Sequence, residues 1–348
     1  MIKIKSKIIS ESSPVFVIAE GGVNHNGKLS LAKKLVDAAK VAGADAVKFQ
    51  TFKAEGVVIG SVKMASYQEK NTGKKQSQLA MIKKLELDYK DFIVLKKYCD
   101  KKNIIFLATP HSADAVDFLN PLVPAFKIGS GDLTNIPFLE KIARFKKPII
   151  LPTGMSDLSD IRSTVKAINK QGNNKLILLH CTTNYPCFDQ EVNLRAMLTI
   201  AQAFPKNLFG YSDHTADWQT AVMAVTLGAK VIEKHFTLSK KMSGPDHKAS
   251  LEPKELKEMI KSIRRVSVIM GSAIKKPTKS ELIIRHKVRK SIVSLTIIKK
   301  GERFSVNNLG IKRPGTGLQP KEFKSLLGKV ARKNIAADKL ITKKDYVG

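Results

Sequence analysis

The sequence predicts an α/β protein: a (β/α)8 barrel followed by a small second domain. Three observations predict it. Eight short apolar runs of strand length recur up to His235. Amphipathic stretches of helix length separate them. After about Arg285 the alternation stops and short strand and turn signals take over.

The candidate strands are Val15–Glu20, Ala46–Thr51, Ile104–Thr109, Ala125–Ser130, Pro148–Thr153, Leu176–Thr182, Leu208–Ser212 and Val231–His235. Candidate helices include Leu29–Ala42, Tyr89–Lys102, Ala113–Leu119, Asp157–Asn169 and Trp218–Leu227. The polar, weakly patterned segment Ala54–Gln78 reads as an active-site loop with some helix. Pro253–Met270 reads as the closing helix, with Ser250 or Glu252 near its cap. The barrel is placed at 1–274, a charged linker at 275–290 and the second domain at 291–348. In that domain Ser291–Thr296 is strand-like, the run from Arg313 to Leu318 is turn-rich, and Phe323–Val347 carries short helix and strand signals.

A chain of 348 residues with 43% hydrophobic and 26% charged residues can bury a large core. Three cysteines, Cys99, Cys181 and Cys187, are too few for a disulfide framework and fit reduced thiols in the cytoplasm. The N-terminus alternates Ile and Lys without an apolar signal core, and no run approaches the ~20 apolar residues of a membrane span. The net charge of +31 is spread as lysines along helix faces. That distribution fits a solvated surface that attracts anionic substrates, not an Arg- and aromatic-rich strip for nucleic acid.

The C-terminal strand ends of such a barrel meet at one mouth. Here they carry Glu20; Lys48 and Gln50; Thr109; Lys127 and Ser130; Thr153; His180 and Thr182; Ser212 and His214; Glu233 and His235. Residues two apart on a strand face the same side. His214 and His235 close the last two strands, and neutral imidazoles at rigid strand ends suit a divalent metal. Lys48 and Lys127, with Thr109, Ser130, Thr153 and Ser212, supply donors for a phosphate. Glu20 stands ready for proton or water handling. Burying such groups unpaired costs several kcal/mol each, so their collection at one rim calls for partners or a ligand to offset it.

Ordered motifs then carry a family resemblance: Ile18-Ala-Glu-Gly-Gly-Val-Asn-His-Asn-Gly27, Val47-Lys-Phe-Gln50, Phe126-Lys-Ile-Gly-Ser-Gly131, Pro152-Thr-Gly-Met155, His180-Cys-Thr-Thr-Asn-Tyr-Pro186, Gly210-Tyr-Ser-Asp-His-Thr215, Glu233-Lys-His-Phe-Thr237, Ser243-Gly-Pro-Asp-His247 and Lys312-Arg-Pro-Gly315. The chain resembles the bacterial sialic acid synthases, the N-acetylneuraminate synthase family. The resemblance implies a barrel followed by a SAF domain, similar to type III antifreeze protein. It implies condensation of phosphoenolpyruvate with an N-acylated mannosamine-type sugar, assisted by Mn2+ or Mg2+, with release of phosphate. By the same resemblance His214 and His235 are metal ligands, with Glu20 the carboxylate beside them. Lys48, Thr109, Lys127, Ser130, Thr153 and Ser212 contact phosphoenolpyruvate. Gln50, Asp132, Tyr185 and Asp246 contact the sugar, and Arg313 reaches the neighbouring barrel in a domain-swapped homodimer. Asp132 stands where glutamate is common, Thr153 where serine is common, and Thr183 where some members carry asparagine.

The acceptor expected first is N-acetylmannosamine, giving N-acetylneuraminate. A 2,4-diacetamido-6-deoxy sugar giving legionaminate is the near alternative, and a 6-phosphorylated acceptor, met by the Lys-rich 60–75 loop, is another. Pseudaminate synthesis is less favoured, because that branch differs around the Cys-Thr-Thr-Asn-Tyr-Pro segment. A metal-dependent barrel hydrolase would need further metal ligands, and none is evident. A C-terminal module that only binds ice or carbohydrate fits poorly with its many lysines and arginines.

Overall fold

The computed structural model describes residues 1–73 and 75–347, without the side chains of Tyr67 and Lys70; Lys74, part of the Lys-rich loop read at 60–75, and Gly348 fall outside it. The chain divides into two compact units, Met1–Gly271 and Ser272–Gly348.

The first unit opens with a hairpin, β1 (Ile2–Ile4) and β2 (Lys7–Ile9), paired antiparallel. The Ile/Lys alternation read only as lacking a signal core is thus a strand signal: Ile4 and Ile9 are buried, and Lys3 points to solvent. These isoleucines pack with Phe16, Ile18, Ile105 and Ile177, whose side chains fill the barrel interior.

Eight parallel strands follow: β3 (Phe16–Gly22), β4 (Ala46–Thr51), β5 (Ile105–Pro110), β6 (Phe126–Lys127), β7 (Ile149–Pro152), β8 (Leu176–Cys181), β9 (Leu208–Asp213) and β10 (Val231–His235). Their order, β5-β4-β3-β10-β9-β8-β7-β6, closes a barrel hydrogen-bonded throughout except between β5 and β6, which lie side by side. The strands are buried on both faces because helices cover the outside. Each run read as a strand is one, although β6 is short: the chain turns into a 3-10 turn at Ser130–Asp132.

Leu29–Ala42 is a helix, ended by Gly43 in the left-handed region at φ 89°, and Pro253–Met270 starts from Glu252 as its N-cap. Helices Ile136–Arg144 and Arg195–Ala203 were not read. The polar segment after β4 holds a 3-10 turn, Ala54–Gly56, and helices Ser66–Thr72 and Gln78–Lys83. No helix among the described residues is long and apolar enough to cross a membrane.

In the second unit, the stretch read as a charged linker carries the helix Lys279–Val288, capped by Thr278. The remainder is built from two short antiparallel pairs, β11 (Ser291–Ser294) with β12 (Leu309–Lys312) and β13 (Val330–Ala331) with β14 (Tyr346–Val347). They surround a small core that includes Ile292, Phe304, Leu309, Leu326 and Ile341.

Candidate active site at the barrel mouth

Parallel register brings the strand-end charges together. Glu20 is the register partner of Lys48 on one side and of His235 on the other, and Glu233 is the partner of Ser212. Lys48 Nζ lies 2.8 Å from Glu20 Oε2, donates to Thr109 Oγ1 at 2.9 Å and stands 4.0 Å from Glu233. Lys127 Nζ is 3.3 Å from Glu233 Oε1, which also accepts from Ser212 Oγ at 3.1 Å. Two lysines and two glutamates, all buried, thus form one alternating network.

Burial decides the protonation of this network. It pushes Glu20 up to about 7 despite the Lys48 ammonium, with Glu233 adding in the same direction. Burial acts on Glu233 as well, but Lys127 and Lys48 outweigh it and hold that carboxyl below its usual range. Lys48 is held above its ordinary value because Glu20 and Glu233 outweigh its burial; Lys127 is drawn down by burial. Glu20 is therefore the member that exchanges a proton near neutrality.

His214 and His235 lie beside this network, ring centroids 5.5 Å apart. His214 Nδ1 is 2.7 Å from the Thr182 carbonyl, so it carries the proton and donates; Nε2 faces the Tyr185 hydroxyl at 3.1 Å. A ligating imidazole typically donates its other N–H to a carbonyl in this way. His235 Nδ1 is buried with no hydrogen-bond partner. The orphaned nitrogen and the fixed His214 tautomer fit a cation held by two imidazoles and completed from outside the chain. Among the described residues no three His, Cys, Asp or Glu side chains form a metal cluster.

Glu20, Lys48, Thr109, Lys127, Ser130 and Ser212 line one cavity of about 60 Å³, together with both histidines, Gln50 and Tyr185. Thr153 does not line it: its hydroxyl donates to the Leu179 carbonyl at 3.0 Å, and it borders a neighbouring cavity. Asp132 lies 3.9 Å from His111 at the rim and is likewise outside the lining. Asp246 borders an adjoining cavity of about 140 Å³, which shares Gln50, Tyr185 and His235 with the first. Burial raises Asp246 to about 6. Arg313 is exposed on the second unit, just beyond β12.

Glu233, placed at its strand end without a role, and His111 and Cys181, not singled out, all stand here. Glu233 holds both lysines. His111 lines the cavity, and Cys181 Sγ is 3.6 Å from His214 Nδ1. Glu233 was legible, since it lies two residues before His235 on one strand.

Buried lysines, glutamates and histidines gathered at the mouth of a (β/α)8 barrel stand where enzymes of this fold place their active sites. Residues 35–275 match the NeuB family and residues 289–347 the SAF domain. The chain is 51% identical to the N,N'-diacetyllegionaminic acid synthase of Campylobacter jejuni, over 93% of this chain and 98% of that protein. It is 45% identical to the enzyme of the same name in Legionella pneumophila, over 94% of this chain and 93% of that one. Among solved structures, the N-acetylneuraminic acid synthetase of Leptospira borgpetersenii superimposes with a TM-score of 0.72 at 34% identity, over 81% of this chain and 94% of that one. The chain belongs to the NeuB family, the sialic and legionaminic acid synthases, and carries a C-terminal SAF domain.

Proposed function

We propose that the chain condenses phosphoenolpyruvate with 2,4-diacetamido-2,4,6-trideoxymannose and water, giving N,N'-diacetyllegionaminate and phosphate. This replaces N-acetylmannosamine, the acceptor expected first, with the alternative that the Campylobacter and Legionella relatives favour. The observation that carries the choice is the wall of the acceptor-side cavity. Val23, Phe52, Met81, Ile82 and Leu85 supply apolar lining beside Gln50, Gln68, Tyr185, His235 and Asp246. A C6 methyl suits that apolar lining, whereas a hydroxymethyl or phosphate set against it gives up hydration. Among the described residues lining it there is no lysine or arginine to meet a phosphate.

Lys48 and Lys127 hold the phosphate and carboxylate of phosphoenolpyruvate, with Thr109, Ser130 and Ser212 donating from the rim. The methylene carbon of phosphoenolpyruvate attacks the open-chain aldehyde, water adds at C2, and phosphate leaves by C–O cleavage. Glu20, protonated as phosphoenolpyruvate binds, gives that proton to the aldehyde oxygen as the C–C bond forms; its carboxylate then accepts one proton of the adding water, and the second departs with phosphate as C2 becomes the ketone. His214 and His235 would hold a divalent cation, Mn2+ or Mg2+, which supplies polarisation of the aldehyde oxygen when bound; two imidazoles favour Mn2+, since Mg2+ prefers oxygen. In the same reading the enzyme is a homodimer in which Arg313 of the partner subunit offers its donor fork to the sugar's acyl groups.

The test is phosphate release and product mass from phosphoenolpyruvate and Mn2+ with each sugar separately. Turnover with the diacetamido sugar alone, at the mass of N,N'-diacetyllegionaminate, is expected. Turnover with N-acetylmannosamine alone would return the acceptor to the first expectation, and no release with either would remove the reaction.

A further inference from the structure

Asp213 and Lys234 form an ion pair in which neither side chain has any exposed surface. They are register partners on β9 and β10, and each immediately precedes one of the two histidines. Because side chains alternate along a strand, they point away from the mouth, into the layer between barrel and helices where Tyr211 and Ile232 pack.

Their hydrogen bonds enclose His214. Asp213 Oδ1 accepts from the Thr215 backbone N–H at 2.9 Å and from its hydroxyl at 2.8 Å, closing a turn whose middle residue is His214. Lys234 Nζ, from the next strand, donates to Asp213 Oδ2 at 2.8 Å and to the Thr215 carbonyl at 2.7 Å. One ammonium therefore grips both flanks of His214 while its own backbone continues directly into His235.

A pair this deeply buried is a poor source of stability, because two apolar side chains of similar volume do as well without losing hydration. What it supplies instead is direction, since an ammonium with three nearby acceptors has one place to sit. We infer that Lys234 and Asp213 are positioning residues whose clasp fixes His214 relative to His235. The inference rests on reading the two histidines as the pair that holds the cation. It adds a layer of support behind the imidazoles, in addition to the Thr182 carbonyl.

Three forms of the full-length chain test it: the natural one, the doubly neutral Asp213→Asn/Lys234→Met, and Thr215→Val, which keeps the ion pair and removes only the bridging hydroxyl. Mn2+ affinity is read by electron paramagnetic resonance without substrates, together with kcat, the KM for phosphoenolpyruvate, and the imidazole 15N resonances of the metal-free chain. The double variant is expected to fold and to bind Mn2+ about 10- to 100-fold more weakly. Its kcat falls while the KM for phosphoenolpyruvate holds, because Lys48 and Lys127 are untouched. A folded double variant with natural Mn2+ affinity and kcat would overturn the inference. If that variant does not fold, Thr215→Val decides, with a smaller loss of affinity expected and no loss overturning it. If the natural chain binds no Mn2+, the metal reading fails separately. The clasp is then judged by the His214 resonances, which should shift in Thr215→Val while those of His25 stay; an unmoved His214 overturns it.

Discussion

Glu20 and Lys48 are register partners on neighbouring parallel strands, and their carboxylate and ammonium meet at 2.8 Å with both side chains buried. With Lys127 and Glu233 they make a site whose four charges balance when all are ionised. An arriving phosphorylated carboxylate adds more than one negative charge, and Glu20 is the group whose protonation offsets one of them. Binding of phosphoenolpyruvate should therefore take up a proton near neutral pH. Calorimetry in buffers of different ionisation enthalpy measures this, and Glu20→Gln should abolish it.

Replacing Lys48 by Met leaves Glu20 without its closest cation. Removing one member of a buried pair typically costs about 3–5 kcal/mol, but Glu20 softens the loss by taking a proton. We expect kcat/KM to fall by about 10²-fold or more, with a smaller drop in the urea midpoint than an unrelieved buried charge would cause. Steady-state kinetics and urea denaturation check both.

Stability should carry the signature of Glu20 itself. Its folded-state value of about 7 lies above its ordinary 4.5, so between these values the folded chain holds a proton that the unfolded chain has released. Its contribution is full below about 4.5 and is lost as pH rises through about 7. Urea midpoints across this window should decline less with rising pH in Glu20→Gln than in the natural chain.

His214→Ala should remove Mn2+ binding and turnover while leaving the fold intact. Among the described residues, the side chain's hydrogen bonds go to the Thr182 carbonyl, the Cys181 sulfur and the Tyr185 hydroxyl at the rim. Unchanged Mn2+ affinity in a folded variant would sink the ligand assignment.

Met81→Gln introduces a polar amide among the apolar residues of the cavity proposed for the acceptor. The ratio of kcat/KM for the 6-deoxy acceptor over N-acetylmannosamine should fall by about 10-fold, within the range expected for one changed pocket contact. An unaltered ratio would separate this lining from the acceptor's C6.

Subunits carrying Arg313→Ala and subunits carrying His214→Ala, each inactive alone, should regain partial activity when mixed, because a hybrid dimer with swapped domains contains one intact site. Activity that stays absent after demonstrated subunit exchange would count against a shared site.

The barrel was legible because a parallel strand buried on both faces announces itself as an unbroken apolar run, and its last residues must reach the mouth. That logic found Glu20, Lys48, Lys127, Ser212, His214 and His235 where the structure places them. Which way a strand-end hydroxyl turns is not written in the run: Thr153 donates to the Leu179 carbonyl and borders the neighbouring cavity. The same logic placed Glu233 at the mouth without a role, because the two lysines that this carboxylate holds come from other strands.

The sequence by itself determined the eight strands, their inward-facing chemistry and the second domain, because period-two alternation and apolar runs are local properties of the chain. Only the tertiary structure decided that Ile4 and Ile9 plug the barrel, that Lys234 clasps Asp213 and Thr215, and that Val23, Phe52, Met81 and Leu85 line one cavity. Those relationships join residues far apart in the chain, and a contact across space leaves no periodicity along it.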